Sequence, residues 1–90
     1  IVRRSSVRAP QKYGEISRLL GGRDASDCAD RIETLLDSVN LRVTLGEQGV
    51  KREDVPWMTE NCRKVAAANF QNHPVQFSDE EISNIYLSCI

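Results

Sequence analysis

Apolar residues recur at helical spacing in several stretches of the chain, and the first of these stretches begins at Pro10. Proline is favoured in the first turn of a helix, and the pair Gly21-Gly22 is a strong stop signal. The segment between them therefore predicts a helix. Its apolar residues share one face: Tyr13, Ile16, Leu19 and Leu20.

A second helix is predicted over "DASDCADRIETLLDSVN", beginning at a capping residue, Asp24 or Ser26. Its apolar face comprises Cys28, Ile32, Leu35, Leu36 and Val39. The acids Asp24, Asp27 and Asp30 have a spacing that suggests a calcium loop. The glycine and the closing glutamate of such a loop are missing, so we interpret them as favourable charges near a helix N-terminus.

The next stretch, "VNLRVTL", alternates apolar and polar residues as a strand does. No second stretch alternates as cleanly, and a lone strand would leave its backbone groups unpaired. We therefore expect extended chain and a short helical turn over 41–48, ended by Gly49. Asp54 is then a plausible N-cap, Pro56 a first-turn residue, and "PWMTENCRKVAAANF" one helix with Trp57 packed at its entry.

The last segment has the most specific local signature. Ser78 and Glu81 form a capping box, and Phe77 can pack on Ile82 as a hydrophobic staple. These elements together predict an all-α fold, a small bundle of about five short helices. We expect residues 1–90 to be a single helical domain, with 1–9 as an extended tail and 10–90 as the helical bundle.

The composition and charge of the chain limit its possible functions. The 90 residues carry a formal net charge of −1, so no general attraction to nucleic acid is expected, and Arg3, Arg4 and Arg8 are interpreted as a solvated tail. No apolar run is long enough to span a membrane, and we expect a cytoplasmic protein without membrane contact. The chain starts with Ile1 and not with methionine, which suggests a fragment of a longer protein.

The inventory of reactive side chains is small. The one histidine, His73, excludes sites built from several imidazoles; it could be a surface loop residue, a pocket residue or a ligand. The three cysteines lie at predicted core positions, where burial raises the pKa of a thiol. We assign no catalytic, cofactor-binding or metal-binding residue within the chain. A helical interaction module without enzymatic activity and the helical part of a larger enzyme both remain.

Three motifs in order carry a family resemblance: "KYGEISRLLG", "LRVTLGEQGVKREDVPWM" and "NHPVQFSDEEISNIYLSCI". Their order and spacing over residues 12–90 resemble the C-terminal end of the iron-containing alcohol dehydrogenases. The matching positions are Lys12, Tyr13, Ile16, Leu20 and Gly21; Leu45, Gly49, Val50, Asp54, Val55 and Pro56; and Asn72, Pro74, Ser78, Glu81, Ile82 and Tyr86.

The resemblance implies a two-domain, metal-dependent oxidoreductase that uses NAD(P) and a divalent metal, iron or zinc. It implies that the glycine-rich cofactor loop and the metal ligands precede these residues, so the chain alone would bind neither group and would be catalytically incomplete. This segment would be scaffold, with partners in a missing N-terminal nucleotide-binding domain and in self-association, such as a homo-oligomer. The family's loop before the last helix lies near the substrate channel, which makes Phe70, Asn72 and His73 substrate-pocket candidates. That loop departs from the family pattern, because His73 separates Asn72 from Pro74.

Overall fold

A computed structural model describes residues 1–90 and contains six α-helices and no strands, which confirms the all-α prediction. The helices are α1 (Val2–Ser5), α2 (Pro10–Leu19), α3 (Cys28–Ser38), α4 (Val55–Val65), α5 (Ala67–Asn72) and α6 (Asp79–Ser88). Short 3₁₀ turns occupy Ala25–Asp27, Gly46–Gln48 and Arg52–Asp54. None of the helices combines the length and the apolar character that crossing a membrane requires.

The chain divides into two compact units, Ile1–Arg42 and Val43–Ile90. In the first unit, α1, α2 and α3 contact one another, and the turn Ala25–Asp27 packs on α2. Its buried apolar residues are Tyr13, Cys28 and Ala29. In the second unit, α4 contacts both α5 and α6. Its buried apolar residues are Val55, Val75, Phe77 and Ile82.

The prediction of an extended tail over residues 1–9 is wrong. Val2–Ser5 form α1, which contacts α2 and α3, and Ser5 is fully buried. The Arg3 guanidinium donates to Asp30 at 3.0 Å and to Glu33 at 3.4 Å on α3. Tertiary contacts therefore order a segment too short to form a stable helix alone.

The junction between α2 and α3 confirms the predicted stop and cap. Gly21 ends α2 with a left-handed φ of +85°, and the Asp24 carboxylate accepts a hydrogen bond from the Ser26 N–H at 2.8 Å. The Asp27 carboxylate accepts from the buried Ser17 hydroxyl at 2.5 Å and from the Arg23 N–H at 3.0 Å. Two of the three clustered aspartates thus satisfy backbone and side-chain donors at a helix start.

The predicted extended chain and turn follow α3. Residues 41–44 have no regular structure, the turn Gly46–Gln48 follows, and Gly49 ends it with φ +90°. The N–H of Leu45 donates to the carbonyl of Cys89 at 2.8 Å, which attaches the end of the chain to this turn. The Asp54 carboxylate does not cap α4; it accepts from the Lys51 N–H at 2.9 Å and closes its own 3₁₀ turn.

Two predictions about the helix after Pro56 are wrong. Trp57 does not pack at the helix entry, since it is 67% exposed, and Val55 is the buried residue there. The predicted single helix is two helices, because Ala66 leaves the helical region at φ −116° and ψ +23°. Alanine is the best helix former, so local propensity does not explain this break.

The last helix confirms the predicted capping box. The Ser78 hydroxyl accepts from the Glu81 N–H at 3.2 Å, and the Glu81 carboxylate accepts from the Ser78 N–H at 3.1 Å. Across the interface between α4 and α6, the Thr59 and Ser83 hydroxyls lie 2.9 Å apart. The capping box therefore fixes where α6 begins, and α4 supplies the surface on which α6 packs.

Candidate functional site

The three predicted pocket residues lie at the end of α5 and the start of the 73–78 loop, which joins α5 to α6. Phe70 and Asn72 belong to α5, and His73 follows it directly. Phe70 and His73 are half-buried, whereas Asn72 is exposed. Asn72 therefore offers a solvent-facing amide, and the two rings contribute partly covered apolar surface.

The His73 ring is held by its own loop. Its Nδ1 lies 2.8 Å from the Val75 carbonyl and 3.2 Å from the Val75 N–H, so Nδ1 is occupied in either tautomer. When Nδ1 carries the proton and donates to the carbonyl, Nε2 has a free lone pair. The ring also lies 5.6 Å from that of Phe77, centroid to centroid. Only Nε2 of this histidine is available to a ligand.

Gln76 closes the loop from the other side. Its amide Nε2 donates to the Phe70 carbonyl at 2.8 Å and to the His73 carbonyl at 3.2 Å. Carbonyls at the end of a helix lack intrahelical donors, so Gln76 acts as a cap for α5. Sequence reasoning missed this role, because a glutamine six residues after Phe70 follows no recognised capping motif.

The loop is anchored in the core by alternate residues. Val75 and Phe77 are 4% and 6% exposed, while Gln76 and Ser78, which alternate with them, are exposed to solvent. The buried side chains fix the loop to the second unit, and the capping box at Ser78 fixes its exit into α6. The loop is therefore a well-supported segment.

Arg63 on α4 contacts both ends of this segment. Its guanidinium carbon lies 4.9 Å from the centroid of the Phe70 ring, within the range of a cation–π interaction. Its Nη2 donates to the carbonyl of Phe77, and its Nε donates to the Asp79 carboxylate at 2.7 Å. Sequence reasoning missed Arg63 as well, since 16 residues separate it from Asp79 and no local pattern connects them.

The three cysteines differ in burial. Burial raises the pKa of the Cys28 thiol, because Cys28 is fully inaccessible to solvent. Cys62 and Cys89 are half-buried free thiols. A hydrogen bond with Cys62, together with burial, raises the pKa of Tyr86 to about 12, so this phenol stays protonated at neutral pH.

A metal site requires several donor side chains that lie close together. Nowhere in residues 1–90 do three or more His, Cys, Asp or Glu side chains cluster so that they could hold an ion. The Asp27 carboxylate already accepts hydrogen bonds from the Ser17 hydroxyl and the Arg23 N–H, and these bonds lower its pKa to about 2. The donor set of this chain does not fit the metal that the family resemblance implies.

A groove of about 570 Å³ lies in the first unit, between α2 and the turn Ala25–Asp27. Arg18 and Asp24 are its charged lining residues, and most of its wall is apolar. It contains none of the residues predicted for the substrate pocket.

Comparison with protein families gives a match that covers the whole chain. Residues 1–90 match the family described as Fe-containing alcohol dehydrogenase family, C-terminal. The match includes residues 1–11, which precede the first sequence motif. No curated protein and no solved structure gives a significant match.

Proposed function

Since the chain belongs to the Fe-containing alcohol dehydrogenase family, as C-terminal domain sequence over residues 1–90, we propose that it is the scaffold and one wall of the substrate pocket in a metal-dependent, NAD(P)-linked alcohol dehydrogenase. The main support for this proposal is the family match, which covers all 90 residues. Family membership implies a metal and NAD(P) in the parent enzymes. When bound, a metal of this kind polarises the oxygen of the alcohol or carbonyl while NAD(P) exchanges hydride.

We propose that the pocket wall comprises Phe70, Asn72 and His73. The exposed amide of Asn72 can donate to a substrate oxygen, and the free Nε2 lone pair of His73 can accept a hydrogen bond from an alcohol hydroxyl. The Phe70 ring adds apolar surface beside them. A wall of this kind is favourable because its backbone is fixed before the substrate arrives, which lowers the entropy lost on binding.

The metal would be bound by other residues of the parent enzyme, because nowhere in this chain do three or more His, Cys, Asp or Glu side chains cluster. We propose that NAD(P), too, is bound outside this chain. We propose a preceding nucleotide-binding domain as the main partner, and self-association of this domain. Several large apolar side chains are strongly exposed, as is typical of a surface that a partner covers: Leu19 is 86%, Val65 75% and Trp57 67% exposed.

The second candidate is a free-standing helical interaction module without enzymatic activity. The observation that favours it is Trp57, whose exposed indole shares a face of α4 with Val65 at i, i+8. Exposed tryptophans are frequent anchors of protein interfaces. Sedimentation separates the two candidates: a monomer with one cooperative thermal transition favours the module, and self-association favours a domain that has lost its neighbour.

The pocket proposal is tested by steady-state kinetics on the full-length protein that carries this chain. Replacing Asn72 or His73 by alanine removes one hydrogen bond to substrate, which is typically worth about 0.5–1.5 kcal/mol, so KM for the alcohol should rise about 3–10-fold. KM for NAD(P) should not change. Gln71→Ala, an exposed α5 position beside Asn72, is the matched control. An unchanged alcohol KM in both variants would refute the pocket wall.

A further inference from the structure

Arg63 lies outside the proposed pocket wall, yet it contacts Phe70 of the wall and the residues that follow the wall at the end of the 73–78 loop. It stacks on Phe70 before the 73–78 loop, and it binds the Phe77 carbonyl and the Asp79 carboxylate at the far end. These three contacts come from one side chain that is only 38% exposed. Arg63 thus joins α5 and the far end of the loop to α4.

The guanidinium group is chemically suited to this role. It has a flat face that stacks on a ring and several N–H donors in fixed directions, here Nε toward Asp79 and Nη2 toward Phe77. A lysine at this position would keep the positive charge but lose the flat face and the divergent pair of donors. The contact set therefore requires an arginine and not merely a cation.

Other bonds of the loop lie within it, join it to α5, or form the capping box between Ser78 and Glu81 on α6. Gln76 binds the carbonyls of Phe70 and His73, and the His73 ring binds Val75. These bonds fix the shape of the loop, whereas the bonds of Arg63 fix its position on α4. Without Arg63, the loop would keep its shape but would be less firmly attached to α4.

We propose that Arg63 is a positioning residue for the substrate-binding wall formed by Phe70, Asn72 and His73. It does not touch the substrate; it holds the Phe70 ring and the far end of the loop so that the Asn72 amide meets the substrate oxygen, and His73 Nε2 meets an alcohol hydroxyl, at a constant distance. This inference rests on the proposed pocket wall. A solely structural ion pair would behave differently, because exposed pairs of this kind contribute little and would not alter substrate affinity.

The test uses the full-length protein with Arg63→Ala, Arg63→Lys and the control Lys64→Ala. Lys64 is adjacent on α4 and forms an exposed ion pair with Glu60 at 2.8 Å, so the control removes a cation and an ion pair without touching the loop. Hydrogen–deuterium exchange is measured on peptides covering residues 70–78, and KM and kcat are measured for the alcohol and for NAD(P). Asp79→Asn, which weakens one contact only, serves if Arg63→Ala fails to fold.

Arg63→Ala should increase amide exchange in residues 70–78 about tenfold. It should raise KM for the alcohol about tenfold, with kcat and KM for NAD(P) within twofold of the wild type. Arg63→Lys should recover only part of both effects, and Lys64→Ala should match the wild type.

Unchanged exchange in Arg63→Ala overturns the proposal whatever the activity. Faster exchange with an unchanged alcohol KM overturns it too, provided that Asn72→Ala or His73→Ala does raise that KM in the same protein. If those two variants also leave KM unchanged, the pocket wall itself fails. The kinetics of Asn72 and His73 therefore distinguish failure of this inference from failure of the proposed function.

Discussion

Gly22 lies in a turn that has no room for a side chain. A Cβ on Gly22 would lie 2.1 Å from the Ser17 hydroxyl oxygen, 2.8 Å from an Asp27 carboxylate oxygen and 2.9 Å from Arg31 Cγ. Ser17 is fully buried, and its hydroxyl donates to the same Asp27 carboxylate. Gly22→Ala therefore forces the hydroxyl away from its acceptor.

The expected loss of stability has two parts. Overpacking a filled site typically costs about 1–3 kcal/mol, and a lost hydrogen bond to a charged group costs about 1.5–3 kcal/mol. We expect a total of roughly 3–4 kcal/mol for Gly22→Ala, a large share of the ~5–13 kcal/mol typical of a chain of this size. The corresponding fall in Tm is about 15 °C or more.

The assay is urea unfolding followed by far-UV circular dichroism, in the wild-type and the Ser17→Ala backgrounds. Ser17→Ala removes the oxygen that the new methyl group would meet, so Gly22→Ala should cost about 1 kcal/mol there, because of the remaining close contacts. Gly14→Ala is the control: its Cβ would meet nothing closer than 3.4 Å, and the helix α2 should gain about 0.5–1 kcal/mol. Equal losses for Gly22→Ala in both backgrounds would refute the reasoning.

Two further predictions follow from the caps. The pKa of Asp27 is lowered from 3.8 to about 2, so its stabilising contribution is complete above pH 3.8 and is lost as the pH falls toward 2; Asp27→Asn should flatten the dependence of the urea midpoint on pH between 5 and 2. A midpoint that falls equally steeply in Asp27→Asn would contradict the assignment. Ser78→Ala removes the capping hydroxyl of α6 and should destabilise the protein by about 1 kcal/mol in the same urea assay, whereas Ser88→Ala, at the other end of α6, should change it by less than about 0.5 kcal/mol.

Local signals in the sequence predicted the turns and caps of this fold well. Gly21 and Gly49 end their elements with left-handed φ values, and the capping box at Ser78 forms as expected. These signals are reliable because each depends on a few neighbouring residues: a glycine tolerates positive φ, and a serine oxygen reaches an N–H three residues ahead. The family resemblance, carried by the spacing of the same signals, is confirmed by the match over residues 1–90.

Predictions that depended on distant neighbours were less successful. Val2–Ser5 of the predicted tail form a helix that contacts α2 and α3, and the pattern of these residues carried no such information. Trp57 was expected to pack because it is apolar, yet Val55 occupies the buried position. The pocket candidates Phe70, Asn72 and His73 remain predictions, while the side chains that support them came to light only in the structure.

By itself, the sequence determined the helical class, the positions of most caps and turns, and the family. Each of these depends on spacing along the chain, where residues within one or two turns act on one another directly. Only the tertiary structure decided that the chain bends at Ala66, that Arg63 joins Phe70 to Asp79, and that Gln76 caps α5. Arg63 and Asp79 are 16 residues apart in the sequence, and the bonds of Gln76 follow no local capping motif, so these contacts arise only once packing brings the groups together.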